Sequence, residues 1–126
     1  EPVSAMDPAG TAELIQTVQT IPEEKREGNT AAAIRITEDG GRLLVSHRGV
    51  DAIAVLPLDG EGLPGAPTLS PCVRGPRDFL LSGETVLVGS QRDGAVRAYQ
   101  LEGEALRDTG YELKMPEPVC LIQTFR

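Results

Sequence analysis

The sequence predicts an all-β fold assembled from four-stranded antiparallel meanders, and three observations carry the prediction. The first is alternation: between Gly28 and Leu58, Ile34 and Ile36 flank Arg35, Leu43 and Val45 flank Leu44, and Ile53 and Val55 flank Ala54. That period of two is expected of short strands with at least one buried face. The second is turn chemistry, since Glu38-Asp39-Gly40-Gly41 and Arg48-Gly49-Val50-Asp51 separate the three runs and supply the Gly and Asp of tight hairpins. The third is repetition. Val45–Ile53 (VSHRGVDAI) recurs as Val88–Val96 (VGSQRDGAV) at an offset of 43 residues, and Leu58 and Leu63 fall on Leu101 and Leu106. Upstream the register slips by two, so that Ile34 and Ile36 match Phe79 and Leu81 across the shorter turn Ser82-Gly83-Glu84. A repeat of about 40–45 residues holding about four short strands marks a β-propeller blade. Helix-pair solenoids share the period but need long helical stripes, which are missing.

Each element follows in order. Glu1 to Gly10 has Pro2, Pro8, Gly10 and no period, which predicts a loop. Residues 11–20, with Glu13–Thr20 (ELIQTVQT) alternating loosely, are expected to be the outer strand of a blade, and Ile21–Gly28 (IPEEKREG) a charged loop. One blade is expected over 31–73, with strands at Ala32–Thr37, Arg42–His47, Ala52–Leu58 and Thr68–Val73. Pro57, Pro64, Pro67 and Pro71 gather in its outer half, where a missing ladder donor is tolerated at a sheet edge. A second blade is expected over 76–114, with strands at Arg77–Leu81, Thr85–Ser90, Ala95–Leu101 and Asp108–Lys114. Within 118–125, Pro118–Gln123 matches Pro76–Leu81 at a spacing of 42, an inner strand of a further blade.

Two blades and two single strands do not close a ring of about four to eight blades. The chain is therefore expected to be the C-terminal portion of one longer propeller, or to close with another chain. Composition agrees with a β core and narrows the partners. The 126 residues are 40% hydrophobic but only 3% aromatic, so the core rests on Val, Ile, Leu and Ala. The net charge of −7, with 12 scattered basic residues, argues against nucleic acid as a partner. No apolar run approaches the roughly 18 residues of a membrane span, so no membrane is expected. Cys72 and Cys120 are too few and too far apart for a disulfide scaffold and read as reduced thiols. With one His and no Cys-x-x-Cys, neither a metal nor any other cofactor is expected. The N-terminal residues show no signal or transit pattern, and the expected compartment is the cytoplasm.

Meander topology also says where a site would lie. Loops joining second to third strands, and those leading into an inner strand, emerge on one rim. Gly28-Asn29-Thr30, His47–Asp51, Gly75-Pro76-Arg77, Ser90–Gly94 and Pro116-Glu117-Pro118 are expected there, while Glu38–Gly41 and Ser82–Thr85 turn on the other. Polar groups converging at the mouth of a central channel are the default ligand site.

The segments GNTAAAIRITEDGGRLLVSHRGVDAIAV, GPRDFLLSGETVLVGSQRDGAV and PEPVCLI, in this order, resemble the C-terminal part of the lactonase family of seven-bladed propellers. That family includes bacterial 6-phosphogluconolactonases and fungal carboxymuconate-lactonising enzymes, and the resemblance runs from about Glu13 to Phe125. It implies hydrolysis of a sugar-acid lactone, 6-phosphogluconolactone first, with a small anionic lactone as substrate. A carboxymuconate-type lactonising enzyme and a non-catalytic fragment serving as a binding or scaffold module are the alternatives.

The resemblance also implies site residues. In the family pattern Asn-Arg-Gly-His-Asp, Arg48 keeps the arginine, whose fork suits a carboxylate or phosphate; the plain alternative is a turn pair with Asp51. Arg77 and Asp78 match Pro-Arg-Asp-Phe, with the arginine aimed into the channel, or alternatively an Arg–Asp pair between inner strands. Asn29 and Gln91 match polar family positions that would hold a lactone carbonyl or hydroxyl; a loop cap is the other reading of Asn29. His47 stands where the family has Asn, and Val50 where it has His, so any imidazole proton carrier would be His47. The implied catalytic set is His47, Arg48 and Arg77, and the implied substrate-binding set Asn29, Gln91 and Asp78. The resemblance further implies that the acid group, a glutamate in the family, would come from earlier blades; the sequence itself holds no Ser-His-Asp set, metal cluster or phosphate loop.

Overall fold

The structure is a computed structural model that describes residues 19–114 throughout and Ala5–Met6 and Ala12–Glu13 as backbone. Strands β1 (Ala5–Met6) and β2 (Ala12–Glu13) pair antiparallel. A single 3-10 turn, Glu23–Lys25, interrupts the charged loop. The first four-stranded sheet comprises β3 (Thr30–Ile36), β4 (Arg42–Arg48), β5 (Ala52–Pro57) and β6 (Thr68–Pro71) in sequence order. The second comprises β7 (Pro76–Ser82), β8 (Thr85–Ser90), β9 (Ala95–Glu102) and β10 (Ala105–Lys114), likewise in order. Every neighbouring pair is antiparallel. The fold is thus all-β, and each sheet is the meander of a propeller blade.

Local chemistry explains the hairpins. Between β3 and β4, Asp39 Oδ1 accepts from Thr37 Oγ1 at 2.7 Å and from Gly41 N–H at 2.9 Å. These bonds hold the Asp39 carboxyl below its ordinary range. Between β9 and β10, Ala105 opposes Glu102 directly, with Gly103 at φ 63 in the turn. The strand expected from Asp108 therefore starts at Ala105, because Glu102–Ala105 closes a two-residue hairpin rather than a loop.

The two sheets pack face to face. Side-chain alternation turns Leu44, Ile53 and Val55 toward Phe79, Val86, Val88, Tyr99 and Leu101, and these residues share one buried cluster with Val73. The opposite face of the first sheet buries Leu43, Val45, Ala54 and Leu56. Burying each such aliphatic side chain stabilises the fold by about 1.5–3 kcal/mol. Polar ties pin the seam at three heights. At the inner strands Arg35 Nε donates to the Phe79 carbonyl at 3.0 Å and Arg35 Nη2 pairs with Asp78 Oδ1 at 3.0 Å. At the hairpin rim Arg42 Nη2 pairs with Glu84 Oε1 at 2.9 Å. On the outer strands Leu106 N–H donates to Ser70 Oγ at 3.0 Å.

One expectation changes, at the first inner strand. Ile34 and Ile36 alternate as strand residues do, yet are 52% and 59% exposed. They pair with Val45 and Leu43 and so lie on the face turned away from the second sheet. The outer strand expected at 11–20 lies mostly outside the described residues, with only Ala12–Glu13 seen as strand, paired to a segment expected as loop. The inner strand expected at 118–125 lies wholly outside them.

Candidate active site

The inner strands of the two sheets carry matching irregularities. In β3 the register shifts between Ala31 and Ile34, and in β7 between Pro76 and Asp78. A bulge breaks the strict alternation of side chains and re-aims the residues within it. Over these paired bulges lies a cleft of about 240 Å³ lined by Ala31, Ala32, Ala33, Arg48, Arg77 and Asp78. Arg77 occupies the bulge of β7 and is exposed to the cleft. Arg48 arrives from the end of β4, on the same side of that strand as Leu44 and Ser46, the side facing the second sheet. Its Nε is buried and has no hydrogen-bond partner among the described residues. An unpaired buried donor costs about 1–3 kcal/mol, more when charged, and an anion at the cleft would offset that cost.

A second cleft, about 620 Å³, opens at the rim between the sheets, and Arg48, Gly49, Gln91 and Arg92 are among its lining residues. Arg48 thus borders both clefts. Asp51, with φ at 52, does not pair with it: its Oδ1 accepts from Gly49 N–H at 3.2 Å and Gly75 N–H at 3.1 Å. Asp51 therefore ties the β4–β5 turn to the loop entering β7. Gln91 is placed by its backbone N–H, which donates to the Gly75 carbonyl at 3.1 Å.

His47 faces the other way. It pairs with Ala31 and Ala52, on the side of Leu43 and Val45, and is fully buried. Asn29 Oδ1 accepts from Val50 N–H at 3.2 Å, so the Asn29 amide nitrogen donates to His47 Nδ1 at 2.9 Å. The ring proton is then on Nε2, which donates to Thr20 Oγ1 at 2.9 Å. Through these two bonds the imidazole clamps the loop entering β3 to the end of β4. In the repeat its counterpart is Ser90, which makes the same clamp by donating to the Arg74 carbonyl at 2.6 Å.

The six residues singled out from the sequence fall into three places. Arg48, Arg77 and Asp78 meet at the inner cleft, Gln91 and Arg48 at the rim cleft, and Asn29 and His47 in the clamp behind them. The inner-strand ion pair joins Asp78 to Arg35, not to Arg77, and Phe79 N–H also donates to Asp78 Oδ1, at 2.9 Å. Arg35 escaped sequence reasoning, although a lone charge inside an alternating apolar strand signals a buried or seam partner. Pro116–Pro118, expected on the same rim, lies outside the described residues. Among those residues no group of three metal-ligating side chains comes together. Cys72 is half-buried, and burial, then the Asp51 charge, push its thiol up to about 12.

Comparison with known proteins now bears on this geometry. Residues 2–123 match the family described as Lactonase, 7-bladed beta-propeller. The chain belongs to this lactonase family. A 6-phosphogluconolactonase of Klebsiella pneumoniae is 31% identical over 101 residues, covering 78% of this chain and 30% of the relative. A putative 6-phosphogluconolactonase from Bacteroides uniformis superposes with a TM-score of 0.81 at 27% identity, over 93% of this chain and 35% of that one. The corresponding protein of Bacteroides fragilis gives a TM-score of 0.80 at 23% identity, over 88% of this chain and 32% of that one, and speaks for the fold. The chain thus spans about a third of the length of the relatives it matches. Among the described residues, no helix of this lactonase-family chain is long and apolar enough to cross a membrane.

Proposed function

We propose that this chain is the part of a sugar-acid lactonase that holds the anionic end of the substrate, with 6-phosphogluconolactone as the leading substrate. The observation that carries the reading is the convergence of Arg48 and Arg77 on one cleft over two bulged inner strands, with Arg48 Nε buried and unpartnered among the described residues. Water adds to the ring carbonyl, the bond from that carbon to the ring oxygen breaks, and the ring oxygen leaves as a hydroxyl with a proton that the water gave up, yielding the open hydroxy acid; Arg48 and Arg77 hold the anionic end of the substrate meanwhile, and Gln91 orients a hydroxyl. Asn29 and His47 act from behind, fixing the loop and the turn that carry Thr30 and Arg48. Asp51 and Asp78, the carboxylates bordering the clefts, are engaged with backbone N–H groups and Arg35. The base that activates water therefore belongs to other blades.

In this reading 31–73 and 76–114 are two blades, 11–20 and 118–125 belong to their neighbours, and chain beyond the present sequence completes the ring. The relatives' names and the one-third coverage support it. The unbridged thiol of Cys72 fits the proposed cytoplasmic setting in carbohydrate metabolism.

The test is Arg48→Ala and Arg77→Ala in the full-length protein, assayed on 6-phosphogluconolactone, gluconolactone and a carboxymuconate. Each is expected to lower kcat/KM on the lactone by about tenfold or more, equivalent to about 1.4 kcal/mol. Unchanged kinetics would remove these arginines from the site, and activity on the diacid alone would replace hydrolysis with lactonisation.

A further inference from the structure

The rim cleft has its own chemistry. Its lining includes two guanidiniums, Arg48 and Arg92, and the primary amide of Gln91. Its one carboxylate, Asp51, accepts from the Gly49 and Gly75 N–H groups. Arg92 is exposed, and among the described residues it forms no ion pair. Its neighbour in space, Arg74, is paired with Asp93 through both Nε and Nη2, so the adjacent carboxylate is taken by the other arginine. The stem of Arg92 is also seated: a Cβ at Gly75, whose φ is 63, would stand 3.2 Å from Arg92 Cγ. A bare glycine thus lets this side chain lie across the loop entering β7, beside the cleft. Two cations, one from each sheet, a planar amide donor and an engaged carboxylate make a cleft suited to a compact anion with several acceptor oxygens. Arg48 joins this cleft to the smaller one over the bulges, so one molecule can reach both.

The geometry points to the rim cleft as a phosphate-monoester subsite, with Arg92 as the residue that selects phosphorylated over plain lactones. This rests on the lactonase reading above and adds a third cation for the anionic end: Arg48, which lines both clefts, and Arg77 hold it from the inner side as proposed, Arg92 closes on the phosphate from the rim, and the Gln91 amide orients the neighbouring hydroxyl.

The experiment uses the full-length protein with Arg92→Ala, and Arg107→Ala, an exposed arginine paired with Glu102 on the outer hairpin, as a charge-matched control. On 6-phosphogluconolactone, Arg92→Ala is expected to lower kcat/KM by about tenfold or more, while kcat/KM on gluconolactone and all parameters of Arg107→Ala stay within about twofold. Equal losses on both lactones, no loss on either, or the same loss in Arg107→Ala would overturn the assignment. Inorganic phosphate provides a readout independent of turnover. Its Kd by calorimetry is expected to rise about tenfold or more in Arg92→Ala and to stay unchanged in Arg107→Ala. If the wild type turns over neither lactone, the function proposed above fails. The phosphate titration then decides the subsite alone: an Arg92-dependent Kd upholds it, and an unchanged one overturns it.

Discussion

Gly49 offers the sharpest test of how the rim is built. Its φ of 111 disfavours any side chain, and a Cβ there would stand 2.6 Å from the Gly28 carbonyl oxygen and 2.9 Å from Asn29 Cα. Gly40, on the opposite rim, has a φ of 74 and nothing within 4 Å of the same virtual atom. The pair separates two costs. Gly40→Ala meets only the left-handed backbone penalty, about 1–2 kcal/mol. Gly49→Ala meets that penalty and must also displace backbone. Asn29 cannot yield freely, because its amide is bonded to both His47 and Val50. Forcing atoms into such a packed contact adds about 1–3 kcal/mol, for a total of about 2–5 kcal/mol. Urea unfolding of the full-length protein, compared at unchanged slope, measures the difference in midpoints. A kinetic consequence accompanies it: the 28–30 and 48–49 segments form walls of the rim cleft, so Gly49→Ala should lower kcat/KM, whereas Gly40→Ala should not. Equal midpoint shifts for the two variants would refute the close approach of the loop to the turn.

Three further outcomes are expected. Phe79→Ala removes the largest fully buried side chain of the seam and should cost about 3–5 kcal/mol, read as a lower urea midpoint; a cost below about 1 kcal/mol would mean that the sheets do not share this core. With its thiol pushed up to about 12 from 9.0, Cys72 in the native protein should react with iodoacetamide at pH 8 on the order of a thousandfold more slowly than a free cysteine, followed by peptide mass mapping; rapid native-state alkylation would contradict the raised pKa. Asp39, Asp93 and Asp108 are each held below the ordinary carboxylate range, by Thr37, Arg74 and Arg97 respectively. A depressed folded-state pKa contributes stability that is present above the unfolded value of 3.8 and is lost as pH falls through the folded value, so the urea midpoint should drop below about pH 4, and Arg97→Gln should flatten that drop.

Much of the fold was legible because strands write themselves as alternation and blades as repetition. The offset between Val45–Ile53 and Val88–Val96 aligns strand ends as well as cores, which is why both clamp positions, His47 and Ser90, fall at the same place in their blades. What stayed hidden depends on distance rather than pattern. Nothing in the spacing of Arg35 and Asp78 announces an ion pair, since two residues 43 positions apart meet only when the sheets dock. Asp51 reads from sequence as a turn residue, yet its carboxylate reaches the next blade's loop. Arg92 reads as one charge among many until Gly75 and the pairing of Arg74 with Asp93 set it apart.

The placement of the two bulges explains why the candidate site needs two consecutive blades. At the position equivalent to Arg77, the first blade carries Ala32, so one wall of the inner cleft is methyl groups and the other a guanidinium. The second cation comes from the first blade, but from β4, where the alternation that buries Leu44 and Ser46 turns Arg48 toward its neighbour. Charge at the inner cleft is therefore assembled across the seam rather than within a sheet. The Arg35–Asp78 pair lies on the same inner strands as both bulges, so it holds the spacing of the two arginines as well as the stability of the seam.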